Sequence, residues 1–174
     1  MMLDEMTIKK NISWDLRRHK YSGFVDLGND ADDDDSMPVA KDALVFMLVH
    51  INGSWKVPCA YFLIDGMNGN ERANLVSICI QRLADVGVTV VSLTCDGPSC
   101  HRTMITSLGG SLKWPTNVDG SFPHPSKTTE KVHVFLDVCH MMKLVRNTLG
   151  DWKVLTDSDK KYICWQYLVD LQTL

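Results

Sequence analysis

Asp4 and Asp96 are the residues whose setting most suggests chemistry. Asp4 interrupts an apolar stretch with strand character (Leu3, Met6, Ile8), and Asp96 closes the β-branched run at 88–95, immediately before Gly97 and Pro98. Neighbouring strands would bring the two carboxylates to one site. Two close carboxylates repel and call for a cation, and hard oxygens with few protein ligands suit Mg²⁺ or Mn²⁺. The corresponding chemistry is metal-assisted phosphoryl transfer, with two ions about 3.5–4 Å apart holding the attacking and leaving oxygens. The plainer reading makes Asp96 the start of an Asp-Gly-Pro turn and Asp4 an exposed strand position. Pattern alone leaves both open.

Asp137, His140, Lys143 and Arg146 recur every three residues, which keeps them near one face of a helix start. Asp137 is a third candidate metal ligand, and His140, Lys143 and Arg146 are candidate DNA contacts through phosphate. Against that stands a capped helix with Asp137 at its N-terminus and a solvated basic face. A soft-ligand set of Cys95, Cys100, His101, Cys139 and His140 invites zinc, which takes four ligands in a tetrahedron, commonly from close cysteine pairs. Cys95 and Cys100 are spaced too widely for that motif, so reduced core cysteines are expected. Asp26 and the Asp30–Asp35 run lack the glycine and closing glutamate of an EF-hand and read as a solvated loop. No phosphate-binding P-loop motif is present.

The elements that must position these groups follow from periodicity. A strand at 3–8 leads into a short strand or hairpin at 12–27, expected beside it. Two strongly apolar strands at 43–51 and 55–64 are joined by Asn52-Gly53, which favours a tight antiparallel turn. Pro58 cannot donate to a ladder, so the second of these belongs at an edge or a bulge. Asn70 can cap a helix of about four turns ending at Gly87. A strand at 88–95 and a short helix at 100–108 come next, and 114–127 reads as loop. A strand at 132–137 precedes a helix at 139–149 stopped by Gly150, and a last helix is expected over 157–174. Three antiparallel strands followed by two strand-helix units give an α/β fold with a mixed sheet. That order matches the RNase H-like arrangement, among other α/β folds.

Composition sets the outer bounds. The chain has 174 residues, 45% hydrophobic and 22% charged, with net charge −3, so one globular domain with a real core is expected. Without the acids of the Asp30–Asp35 run the body is slightly basic, which tolerates a polyanionic partner without announcing one. No stretch approaches the roughly 20 apolar residues of a membrane span. The acidic start, with Asp4 and Glu5, is unlike a secretory signal, and no targeting signal is visible.

Leu3-Asp-Glu-Met6, the run from Val90 through Asp96-Gly97, Trp55-Lys-Val-Pro58, and above all the run from Phe135 through Asp137, His140, Lys143 and Arg146 to Asn147 carry a resemblance. Together they resemble the RNase H-like catalytic core of P-element-type DNA transposases, including relatives with an N-terminal THAP zinc domain, over nearly the whole chain. The resemblance implies an Asp-Asp-Glu set that binds two divalent ions for DNA strand cleavage and transfer, with Asp4 as the first acid and Asp96 as the second. The third, a glutamate on a helix beyond a large GTP-binding insertion, has no counterpart here, so the fold is expected to be incomplete at its C-terminus. On this reading residues 1–156 are the N-terminal part of the core, and 157–174 lead toward an insertion that lies outside the chain. GTP is expected only through that insertion, and oligomerisation only through absent segments. Transposon-end DNA is the implied partner and the nucleus the implied location. The competing expectation is a decayed or domesticated module that binds DNA or protein without catalysis.

Overall fold

The computed structural model describes residues 1–17, 19–28, 37–113 and 117–173, so the Asp30–Asp35 run lies outside the described residues. The elements are β1 (Met2–Thr7), β2 (Ser13–Asp15), β3 (Lys20–Ser22), β4 (Asp42–Val49), β5 (Lys56–Ile64), α1 (Gly69–Asp85), β6 (Ser92–Cys95), α2 (Ser99–Ser107), β7 (Ser111–Lys113), β8 (Asn117–Asp119), β9 (Ser121–His124), β10 (Lys127–Leu136), α3 (Val138–Trp152), β11 (Val154–Thr156), β12 (Tyr162–Cys164) and α4 (Gln166–Gln172). They fall into two compact units, Met1–Phe135 and Leu136–Leu174. The expected boundary at 156 lies inside the second.

The first unit is built on a six-stranded sheet in the order β5-β4-β1-β6-β10-β9. β5, β4 and β1 pair antiparallel, whereas β1 and β6 are parallel with Met2 opposite Thr94. This is the mixed α/β architecture expected from the strand order. Pairing fixes the faces, because side chains alternate along each strand. Leu3, Leu44, Phe46, Phe62, Leu93 and Cys95 share one face, and Phe46 meets Phe62 edge-on at 5.5 Å between ring centroids. Leu3, Leu44, Phe46, Leu93 and Cys95 are buried.

Helix α1 covers that face. Its buried residues, Arg72, Ala73, Val76, Cys79 and Ile80, are three or four apart and form one stripe. The cap is Asn68 rather than the expected Asn70. Asn68 accepts from the backbone of Asn70 and Glu71, and the Glu71 carboxylate returns to the Asn68 N–H, a reciprocal box that Asn70 could not close. Gly69 lets α2 approach closely: a Cβ there would lie 2.6 Å from the Cys100 carbonyl oxygen and 2.5 Å from Thr103 Cβ.

β5 lies at the sheet edge and is also bulged where Met47 pairs with Pro58, so the proline removes no ladder bond. The turn before it is wider than two residues, since His50 donates to the Trp55 carbonyl and residues 51–54 form the loop. The 12–27 segment does form a hairpin, β2–β3, but as its own two-stranded sheet rather than beside β1. The supposed loop at 114–127 holds β8, β9 and the start of β10, although 114–116 lie outside the described residues. Phe122 and Val132, paired across β9 and β10, bury completely, which gave this polar stretch a reason to be extended.

In the second unit α3 runs through Gly150 and ends where Lys153 adopts a left-handed conformation, its N–H donating to Leu149. The expected helix over 157–174 is instead a turn, strand β12 and the short α4, with β12 pairing antiparallel to β11. The Asp157 carboxylate accepts from the N–H groups of Asp159 and Lys161, an Asx-type turn that competes with helix at that point.

Candidate functional site

Asp4 lies within β1, opposite Val45, and is exposed. The Met2–Thr94 register, continued by two residues, brings the chain past the end of β6 to Asp96 at the level of Asp4. Adjacent strands lie roughly 5 Å apart, so the two acids come from neighbouring stretches of chain. Asp4 Oδ1 accepts from the Glu5 N–H at 2.8 Å, which turns that carboxylate along the strand. Its neighbour Glu5 points to the opposite face and pairs with the buried Arg72 of α1. One strand thus carries a structural acid next to the candidate functional one.

Asp96 is held from the other side. His101, the third residue of α2, is buried, and its Nδ1 lies 2.8 Å from Asp96 Oδ1 and 2.8 Å from the Asp96 carbonyl oxygen. The sequence reading counted His101 only among soft metal ligands. The clue to its actual place was its spacing, five residues after Asp96 across a Gly-Pro turn into a helix start.

Cys95 next to Asp96 is buried, and its thiol is pushed up to about 12, by burial first and then by the Asp96 and Cys100 charges. It stays a protonated thiol near neutrality, unlike a zinc thiolate. Among the described residues no group of three or more His, Cys, Asp or Glu side chains is gathered as for a metal ion. Two carboxylates alone fit a hard divalent cation that fills its remaining positions with water or outside groups.

Asp137, His140, Lys143 and Arg146 belong to the second unit. Asp137 is the cap of α3, its Oδ1 accepting from Cys139 N–H at 2.9 Å. Lys143 and Arg146 are exposed and His140 is half-buried. Arg146 turns Nη2 and Nε onto Asn147 Oδ1 at 2.8 and 3.2 Å, and both residues line an open groove with Gly150, Asp151, Lys153 and Trp165. Lys153 Nζ lies 6.0 Å from the centre of the Trp165 ring.

A six-stranded mixed sheet whose parallel neighbours β1 and β6 lie at its centre has the architecture of an RNase H-like core. Residues 1–109 match the TNP-like RNase H N-terminal domain family, and the chain belongs to it, as a transposase RNase H-like domain of the P-element/THAP9 type. Residues 139–174 match the TNP-like GTP-binding insertion domain, so this stretch is similar to the insertion that was expected to lie outside the chain. The human DNA transposase THAP9 is 30% identical over 179 residues, covering 100% of this chain and 19% of its own length. The Drosophila P element transposase strand transfer complex is similar in fold, with a TM-score of 0.72 at 21% identity over 94% of this chain and 31% of that one. The chain therefore spans about a fifth of that curated relative.

Proposed function

We propose that the first unit is the N-terminal part of a DNA transposase catalytic core, in which Asp4 and Asp96 hold Mg²⁺ or Mn²⁺ for strand cleavage and transfer at transposon ends. The observation that supports this most is that Asp4 lies on β1 and Asp96 just past the end of the adjacent, parallel β6, each two residues beyond the paired Met2 and Thr94. Bound there, divalent ions would polarise a scissile phosphate and activate the attacking oxygen. The first unit's own part is to present two carboxylates, one from β1 and one just past β6, whereas in the second unit Asp137 caps α3 and Lys143 and Arg146 are exposed and available to phosphates. His140 is a weaker DNA-contact candidate because it is half-buried. Guanine nucleotide is assigned to the insertion domain, part of which residues 139–174 match. Nuclear location and oligomerisation belong to the same proposal.

The test is Asp4→Asn and Asp96→Asn in a parent protein that contains this chain. Strand cleavage in Mn²⁺ should fall by at least about a hundredfold in each, comparable with losing one preorganised electrostatic group, while DNA retention by filter binding stays unchanged. Cleavage that survives both changes would favour the non-catalytic module, which needs neither acid.

A further inference from the structure

His101 is a buried titratable side chain whose Nδ1 contacts both end on Asp96. Its Nδ1 faces two acceptors, the Asp96 carboxylate oxygen and the Asp96 carbonyl oxygen, so that nitrogen must carry a proton. Its Nε2 is also buried and has no hydrogen-bond partner. A hydrogen on Nε2 would be an unsatisfied buried donor, whereas a hydrogen on Nδ1 meets both acceptors. Helix α2 holds the ring rigidly, because Gly69 lets its first turn sit against α1.

From this arrangement we infer that His101 is a positioning residue: its Nδ1–H clamps Asp96 Oδ1 and the Asp96 carbonyl together and aims the carboxylate at the cation. The inference rests on the metal reading proposed above. Asp96 sits just past the end of β6, so its carboxylate depends on a side-chain partner for its orientation. Partners that orient a ligating carboxylate typically govern metal affinity by 10–100-fold.

The experiment titrates Mn²⁺ into the full chain by calorimetry, at one fixed pH, for the unchanged sequence and for Asp4→Ala, Asp96→Ala, His101→Phe and His101→Asn. His101→Phe should weaken binding about tenfold or more, whereas His101→Asn, whose amide can donate from near the Nδ1 position, should recover most of it. Loss of binding in the two aspartate variants with none in His101→Phe overturns the positioning role alone. Binding that survives both aspartate changes overturns the metal reading, and the positioning role with it. Should His101→Phe fail to fold, imidazole ¹⁵N spectra of the unchanged metal-free chain decide instead: hydrogen on Nδ1 supports the clamp, and hydrogen on Nε2 alone overturns it.

Discussion

The two faces of the first unit's sheet are made from the same strands and have opposite fates. On one, Leu3, Leu44, Phe46, Leu93 and Cys95 lie beneath α1 and are closed to solvent, and even the charge of Glu5 is matched by the buried Arg72. On the other, Met2, Met6 and Tyr61 remain open, at 45%, 60% and 71% exposure, around Asp4. Alternation along β1 alone decides which residue serves which face. The covered face supplies stability and the open one carries the acid proposed above to hold a cation, so mutations on the two faces should separate loss of folding from loss of metal binding.

The comparison is broken most directly from the covered side. Leu93→Ala removes a side chain with 0% exposure and should cost about 2–5 kcal/mol, whereas Met6→Ala on the open face should stay within about 0.5 kcal/mol. Urea unfolding of both variants checks this, and equal costs would mean that the open face is packed. Next in size is Gly69→Ala. Its new methyl would press on the Cys100 carbonyl of α2, a backbone atom that cannot swing aside, and overpacking of this kind costs about 1–3 kcal/mol. Because α2 carries His101, the same change should also weaken Mn²⁺ binding, a link that calorimetry on the variant would expose.

Much of the covered face was legible in the sequence, and the reason is periodicity. Leu44, Phe46 and Ile64 lie in apolar runs that could hardly be anything but strands, and Ala73, Val76, Cys79 and Ile80 mark a helix by spacing alone. Proline chemistry placed Pro58 correctly at a bulged edge. Asp4 and Asp96 stood out because one acid interrupts an apolar strand and the other closes one. What failed did so where long-range pairing overrode composition: Ser121 and Phe122 sit in a Gly/Pro-rich stretch yet pair into β10, and Tyr162–Cys164 becomes a strand only because β11 is there to receive it. His101 was seen as a ligand type rather than as a partner, since a hydrogen bond back to Asp96 depends on how α2 docks, which local pattern does not encode.

A pH series sharpens the contrast on a smaller scale. Burial pushes the Cys95 and Cys79 thiols up to about 12 from an ordinary value near 9, with the Asp96 and Cys59 charges adding to it. A pKa raised by folding means that the unfolded chain ionises first, so stability is full below about pH 9 and declines from there toward 12. The slope is at most about 1.4 kcal/mol per pH unit for each thiol. Melting temperatures should therefore fall as pH rises above 9, more gently in Cys95→Ala. Iodoacetamide should label the exposed Cys139 at neutral pH and leave Cys79 and Cys95 untouched until the chain unfolds.

The smallest stability effect is expected at Asp4, and its smallness is informative. Asp4→Asn keeps an oxygen able to accept from the Glu5 N–H at an exposed position, and should shift stability by no more than about 0.5 kcal/mol. Glu5→Gln, one residue along and on the covered face, deprives the buried Arg72 guanidinium of its carboxylate and should cost several times as much, because a buried charge left without its counter-ion is expensive. Paired unfolding curves for these two variants, alongside Mn²⁺ calorimetry, read both faces of one strand. Asp4→Asn should lose metal and keep its fold, whereas Glu5→Gln should lose stability and keep whatever metal affinity survives folding. Were Asp4→Asn the more damaging to stability, its carboxylate would be a structural group, and the division of labour across β1 would fall with it.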